Sequence, residues 1–121
     1  MSNMNQHVPL NISPKELNKI LEDDFSEKPF IVDVREDDEI AIASFSFSVL
    51  HLPLSKAANW SGNIEELLPK DKPIVVVCHA GVRSLNFGIW LLEQGLSKRV
   101  LNLVGGIDAW STDIDPSVPR Y

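Results

Sequence analysis

The chain has one cysteine, no cluster of basic residues and no long apolar run. A lone cysteine forms no intramolecular disulfide, so nothing demands an oxidising compartment and the cytoplasm is the expected location. The most apolar stretch, PIVVVC at 73–78, falls far short of a membrane span. The opening MSNMNQHVPLN has neither the basic patch nor the apolar stretch of a signal peptide. There are 11 basic against 17 acidic residues, a net charge of −6. That balance argues against nucleic acid as a partner, because phosphate binding needs clustered Lys and Arg, and no membrane partner is expected either. An anionic ligand would have to be drawn in by a local positive site against the overall field. Repeats, low-complexity tracts and linkers are missing too, so residues 1–121 are read as one unit. Its core is expected over about 10–112, with a proline-containing tail at 113–121.

What is present is ordinary for a folded domain: 121 residues, 44% hydrophobic and 23% charged, enough to bury a core without staples. SPKELNKILED carries explicit helix-start signals. Ser13 and Glu16 have capping-box spacing, Pro14 takes the first helical position, and Leu17, Ile20 and Leu21 form one stripe. KPFIVDVRE reads as a nearly continuous apolar strand over Phe30–Val34, as parallel strands buried on both faces do. DDEIAIASF predicts a short helix with acidic residues at its favoured end, and VLHLPL a short strand. SGNIEELLPKD predicts a helix through Ile64, Leu67 and Leu68, and KPIVVVC the central strand. Leu85, Gly88, Ile89 and Leu92 predict a helix from about Arg83 to Gln94, with Gly95 as its stop. KRVLNLVGG gives a last strand and GGIDAW a turn into a short helix. Strands alternating with helices imply a mostly parallel sheet, whose ligands lie beyond the carboxyl ends of its strands.

Two strand ends carry polar chemistry there, and the one ending VVVCHAGVRS holds the only thiol. A loop running from a strand into a helix can curl backbone N–H groups around a common centre, assisted by the helix dipole. Gly81 frees the backbone for that curl. A thiolate at the bottom of such a cradle is stabilised and becomes a nucleophile at neutral pH. Arg83 adds a permanent fork-shaped charge suited to oxyanions, and Ser84 is placed to cap the helix or to donate toward the sulfur. Against this stands the plain alternative that Cys78 is a small buried hydrophobe and Arg83 a solvated helix-end charge.

CHAGVRS resembles the active-site loop of the rhodanese family, single-domain sulfurtransferases with a cysteine, four residues and then an arginine. FIVDVRE, LHLPL and LVGGIDAW resemble further segments of that family in the same order, and the resemblance runs from the first helix to Trp110. It implies the rhodanese-like α/β fold, a central, mostly parallel five-stranded sheet with helices on both faces. It implies that Cys78 takes a sulfane sulfur from a small anionic donor such as thiosulfate and passes it to cyanide, a thiol or a protein acceptor. The expected substrate-binding set is His79, Ala80, Gly81, Val82, Arg83 and Ser84, with Asp33 and Arg35 supporting from the neighbouring strand end. An ion pair of purely structural value is the commoner explanation for the latter two.

No cofactor is expected, and no His/Cys cluster has the spacing to hold a metal. A monomer or weak dimer is expected. The chain departs from the family where many members have a Gly-His pair: AIASFSFSVLHLPL occupies that stretch, and His51 is not an obvious substitute. Trp60, Trp90 and Trp110 read as packing residues, and Gly105 and Gly106 as a tight turn near the site. Two rival functions are a cysteine-dependent phosphatase or arsenate reductase, and a non-catalytic regulatory or sulfur-carrier module. Phosphatases have five residues between cysteine and arginine. The four here make a tighter ring, better matched to a single sulfur than to a tetrahedral phosphate.

Overall fold

β4 (Ile74–Val77) runs through the middle of the molecule, and all four of its residues are buried. It lies between β5 (Val100–Leu103) and β2 (Phe30–Asp33) in a five-stranded sheet of order β1-β5-β4-β2-β3. β1 (Leu10–Ile12) and the two-residue β3 (Leu50–His51) form the edges, and every pairing is parallel. The computed structural model describes residues 7–121. Residues 1–6, part of the segment read as lacking a targeting signal, lie outside them. No helix of the described residues is long and apolar enough to cross a membrane.

Side chains alternate across a strand, so a strand covered on both faces sends half its residues into each of two cores. Val32, Val34, Ile74, Val76 and Cys78 face one core, built with α3 (Ala57–Trp60), α4 (Ile64–Leu67) and α5 (Val82–Glu93). Ile31, Val75, Val77 and Leu103 face the other, built with α1 (Pro14–Glu22) and α6 (Gly106–Asp113). α2 (Asp37–Ile42) joins β2 to the chain leading into β3. The α/β class, the parallel sheet and the central place of KPIVVVC agree with the expectation. α1 also starts as read, with both hydrogen bonds of the Ser13–Glu16 capping box formed.

Three sequence expectations need correction. The helix expected over SGNIEELLPKD is short: α4 has only four residues, Ser61–Asn63 form a 3-10 turn before it, and the chain reaches them through another 3-10 turn (Leu54–Lys56) and α3. The buried face of α5 is Ser84, Phe87, Gly88 and Leu91, displaced by about one residue from the stripe Leu85, Gly88, Ile89 and Leu92. That helix is apolar over more than half its circumference, and the part it buries is the one that brings Ser84 against Cys78. The tail beyond 112 is also part of the packed structure, because Val118 is buried in the α1/α6 core and its carbonyl accepts from Ser111 Oγ.

Candidate functional site

Cys78 follows β4 directly, and Gly81, at φ +104° in the left-handed region, turns the chain into α5. A side chain would be strained at that φ, which makes glycine the natural residue for the turn. The turn aims two backbone N–H groups at the sulfur. Gly81 N donates to Sγ at 3.1 Å and Ser84 N at 3.4 Å, and the Ser84 hydroxyl lies 3.3 Å away. The thiol is only 1% exposed, so the loop covers it almost completely. Ala80 and Val82 are exposed on the outer side of the loop, and neither is among the groups donating to Sγ.

Ser84 does not cap α5, contrary to one of its two expected roles. Its hydroxyl donates to Asn102 Oδ1, while Asn102 Nδ2 donates to the Gly81 carbonyl at 3.0 Å. A buried Asn on β5 thus ties both ends of the sulfur-binding turn to the neighbouring strand. Nothing in the sequence reading selected it; its one signal was a lone polar residue inside VLNLV.

The GG pair before α6 does more than turn. Gly106 has φ +59°, and a Cβ there would collide with the carbonyl oxygens of Cys78 and His79. The close approach lets Ile107 N donate to Cys78 O at 2.9 Å and Asp108 N to His79 O at 3.1 Å. The first turn of α6 therefore grips the loop that follows β4 by its carbonyls.

Arg83 does not stand free at the mouth. Its two terminal nitrogens meet Glu39 of α2 at 2.7 and 2.8 Å, a bidentate pair. That bond, ahead of opposing burial, lowers the Glu39 pKa from 4.5 to about 2. The Arg83 pKa is raised, first by the bond to Glu39, which outweighs the opposing effect of burial.

Asp33 and Arg35 form a fully buried ion pair, with Arg35 Nη2 2.9 Å from Asp33 Oδ2. Burial pulls the Arg35 pKa down, but the bonds to Asp33 and Tyr121 outweigh it and the net direction is up. The pair touches neither Cys78 nor Arg83. It reaches the site through Arg35 Nη1, which donates to Tyr121 Oη at 3.0 Å. Tyr121 in turn donates to Glu39 Oε1 at 3.0 Å and stacks its ring on His79 with centroids 4.1 Å apart. His79 thus lines the loop under the tail.

The segment that departs from the family pattern has its own solution. Phe45 and Phe47 stack at 4.8 Å and both meet the edge or face of Trp110. His51 Nε2 lies 2.6 Å from the Arg35 carbonyl, so a histidine does contact this strand end. Among the described residues no group of three or more His, Cys, Asp or Glu is placed to hold a metal ion.

A five-stranded parallel α/β domain whose only thiol rests on backbone N–H groups at the end of its central strand carries a candidate nucleophile site. The Rhodanese-like domain family model matches residues 13–113, and the chain belongs to that family. It is 39% identical over 113 residues to the Rhodanese-like/PpiC domain-containing protein 12, chloroplastic, of Arabidopsis thaliana, covering 92% of this chain and 37% of that protein. The chain therefore spans little more than a third of that relative's length. It is 35% identical over 108 residues to a putative sulfurtransferase of Bacillus subtilis (strain 168), covering 87% of this chain and 93% of the relative. Its fold also matches the crystal structure of a rhodanese-like domain protein from Staphylococcus aureus, with a TM-score of 0.68 and 26% identity over 93% of this chain and 98% of the other.

Proposed function

We propose that the protein is a sulfurtransferase that carries a sulfane sulfur as a persulfide on Cys78. The observation that carries this reading is the convergence of the Gly81 and Ser84 N–H groups on Sγ at the start of α5. Fixed donors aimed at a sulfur stabilise negative charge there without reorganising during the reaction. The putative sulfurtransferase of Bacillus subtilis, matched over most of both chains, supports the same chemistry.

With thiosulfate as donor, the Cys78 thiol loses its proton to solvent and the thiolate attacks the sulfane sulfur. An Sγ–S bond forms, the S–S bond to the sulfonate breaks, and sulfite leaves with the electron pair. The persulfide anion then occupies the N–H cradle. An acceptor thiolate or cyanide attacks its outer sulfur, the Sγ–S bond breaks, and the Cys78 thiolate is restored. Every step balances without a redox cofactor. Arg83 stands beside the loop as the group that meets the sulfonate. With no second cysteine in this chain the persulfide must be discharged onto an external acceptor, a small thiol or a protein thiol. A lone thiol is compatible with the reducing cytoplasm, the compartment we propose.

Incubation with thiosulfate is expected to add the mass of one sulfur atom to the intact protein, and cyanide is expected to remove it as thiocyanate. Cys78→Ser is expected to abolish both. Wild-type protein that gains no sulfur from thiosulfate or from a small-molecule persulfide would refute the reading. Rapid hydrolysis of an aryl phosphate would replace it with the phosphatase alternative.

A further inference from the structure

The arginine expected to draw in an anionic donor is already occupied by a carboxylate of the protein. Glu39 holds Arg83 through two bonds and is itself held from two other directions. The Glu36 backbone N–H donates to Glu39 Oε2 at 2.9 Å, and the Tyr121 hydroxyl donates to Oε1 at 3.0 Å. Tyr121 is fixed in turn by its stack on His79 and by the bond from Arg35. The tail bearing it is anchored by buried Val118 and by the Arg120–Asp108 pair. The Glu39 carboxylate is thus clamped where it neutralises Arg83, and its side chain is only 17% exposed, so water screens it incompletely.

We propose that Glu39 is a specificity-determining residue that weakens the site's hold on small dianionic sulfur donors, and that Tyr121 is the positioning residue keeping Glu39 in place. The inference rests on the sulfurtransferase reading for its biological sense, but its physical content is a competition between two anions for one guanidinium. Arg83 does not need Glu39 in order to stay at the mouth. It lies in the first turn of α5, whose backbone is fixed by the bonds to Sγ and by the Leu85 N to Gly81 O bond. A guanidinium keeps its charge without a partner, and Arg83 has three further N–H donors beyond the two given to Glu39. Removing the carboxylate charge therefore strengthens the site for a dianion, whereas a carboxylate that merely held Arg83 in shape would weaken it when removed.

The test is run first on Cys78→Ser protein, in which no sulfur is transferred, so its outcome is independent of the proposed reaction. Titration with thiosulfate should show about fivefold tighter binding when Glu39→Gln is added, the scale of one partly screened ion pair. Methanethiosulfonate, a monoanion, should gain less. With the thiol restored, Glu39→Gln should lower the KM for thiosulfate by a similar factor and leave kcat within about twofold. Tyr121→Phe keeps the ring stacked on His79 and removes only the hydroxyl. It should shift affinity in the same direction by about twofold and have no further effect in the Glu39→Gln background, the signature of action through Glu39. Unchanged or weaker thiosulfate binding in the Glu39→Gln protein would overturn the proposal. A Tyr121→Phe effect that persists undiminished without the Glu39 charge would remove Tyr121 from it. Failure of wild type to take up sulfur, alongside the expected binding changes, would sink the sulfurtransferase reading and leave the clamp standing.

Discussion

At the end of β4 the chain turns into α5 through Gly81, and at the end of β5 it turns into α6 through Gly105. The two turns match closely: φ is +104° at Gly81 and +77° at Gly105, ψ is −3° in both, and neither helix has a side-chain cap. They also touch, since a Cβ on Gly81 would lie 3.3 Å from the Gly105 nitrogen. The N–H groups at their helix starts nonetheless face different things. Those at the start of α5 point at the Cys78 sulfur, and those of α6 are consumed by the Cys78 and His79 carbonyls. A glycine turn into a helix N-terminus is therefore not a site in itself. Under the proposed function one such turn becomes chemical because a thiol lies under it, while its twin is structural because it holds the first one in shape.

The comparison breaks most readily at Gly106. Gly106→Ala puts a methyl group against two backbone carbonyls at a φ that side chains rarely adopt. A cost of at least ~3 kcal/mol is expected, a fall in Tm on the order of 10 °C for a domain of this size. Thermal unfolding monitored by circular dichroism measures it. Cys78→Ser should show the reverse pattern, with sulfur loading lost and Tm nearly kept, because the substituted side chain stays small and its N–H partners stay in place. If Gly106→Ala left Tm unchanged, the claim that α6 structurally grips the loop would be wrong.

Asn102 sits between the two turns and sharpens the contrast. Asn102→Leu leaves the Ser84 hydroxyl and the Gly81 carbonyl without their buried partner. About 1–3 kcal/mol of stability should be lost, with a slower rate of sulfur loading per folded molecule. That combination is expected of a residue serving both structure and chemistry. A loss of stability with wild-type loading kinetics would class Asn102 with the structural turn alone.

Much of this was legible in the sequence, and the division has a physical basis. Features written locally were read correctly: the Ser13–Glu16 capping box, the doubly buried strands around Val32 and Val76, and Cys78 at a strand end before a glycine and a helix. Features that exist only after the sheet has assembled were not. β1 is three residues with no pattern of its own, and its strand character comes from pairing with β5. Glu39 meets Arg83 across 44 residues of sequence, Ser84 meets Asn102 across 18, and Tyr121 meets Glu39 across 82. Asp37, Asp38 and Glu39 read only as a favourable helix start, which hides that Glu39 meets Arg83.

The smallest effect concerns pH and separates the long-range clamp from the local turn. The Glu39 pKa is about 2 in the folded protein against an ordinary 4.5, with the Arg83 bond as the main cause. A carboxylate with a depressed folded-state pKa adds stability that is full above the unfolded value and disappears as pH falls through the folded one. Screening at this half-open site limits the contribution to about 1–2 kcal/mol. Glu39→Gln should therefore unfold a few degrees below wild type at pH 7, with the gap shrinking between pH 4.5 and about 2. Other carboxylates are also held below their ordinary range, Asp37 by Lys56 and Asp108 by Arg120, so the difference between the two proteins carries the information and neither curve alone does. The turn at Gly81 contains no carboxylate, so acid should loosen the clamp on Arg83 while the N–H groups stay on Sγ. A gap that is constant across that pH range would show that the Glu39 charge contributes nothing to holding α2 against α5.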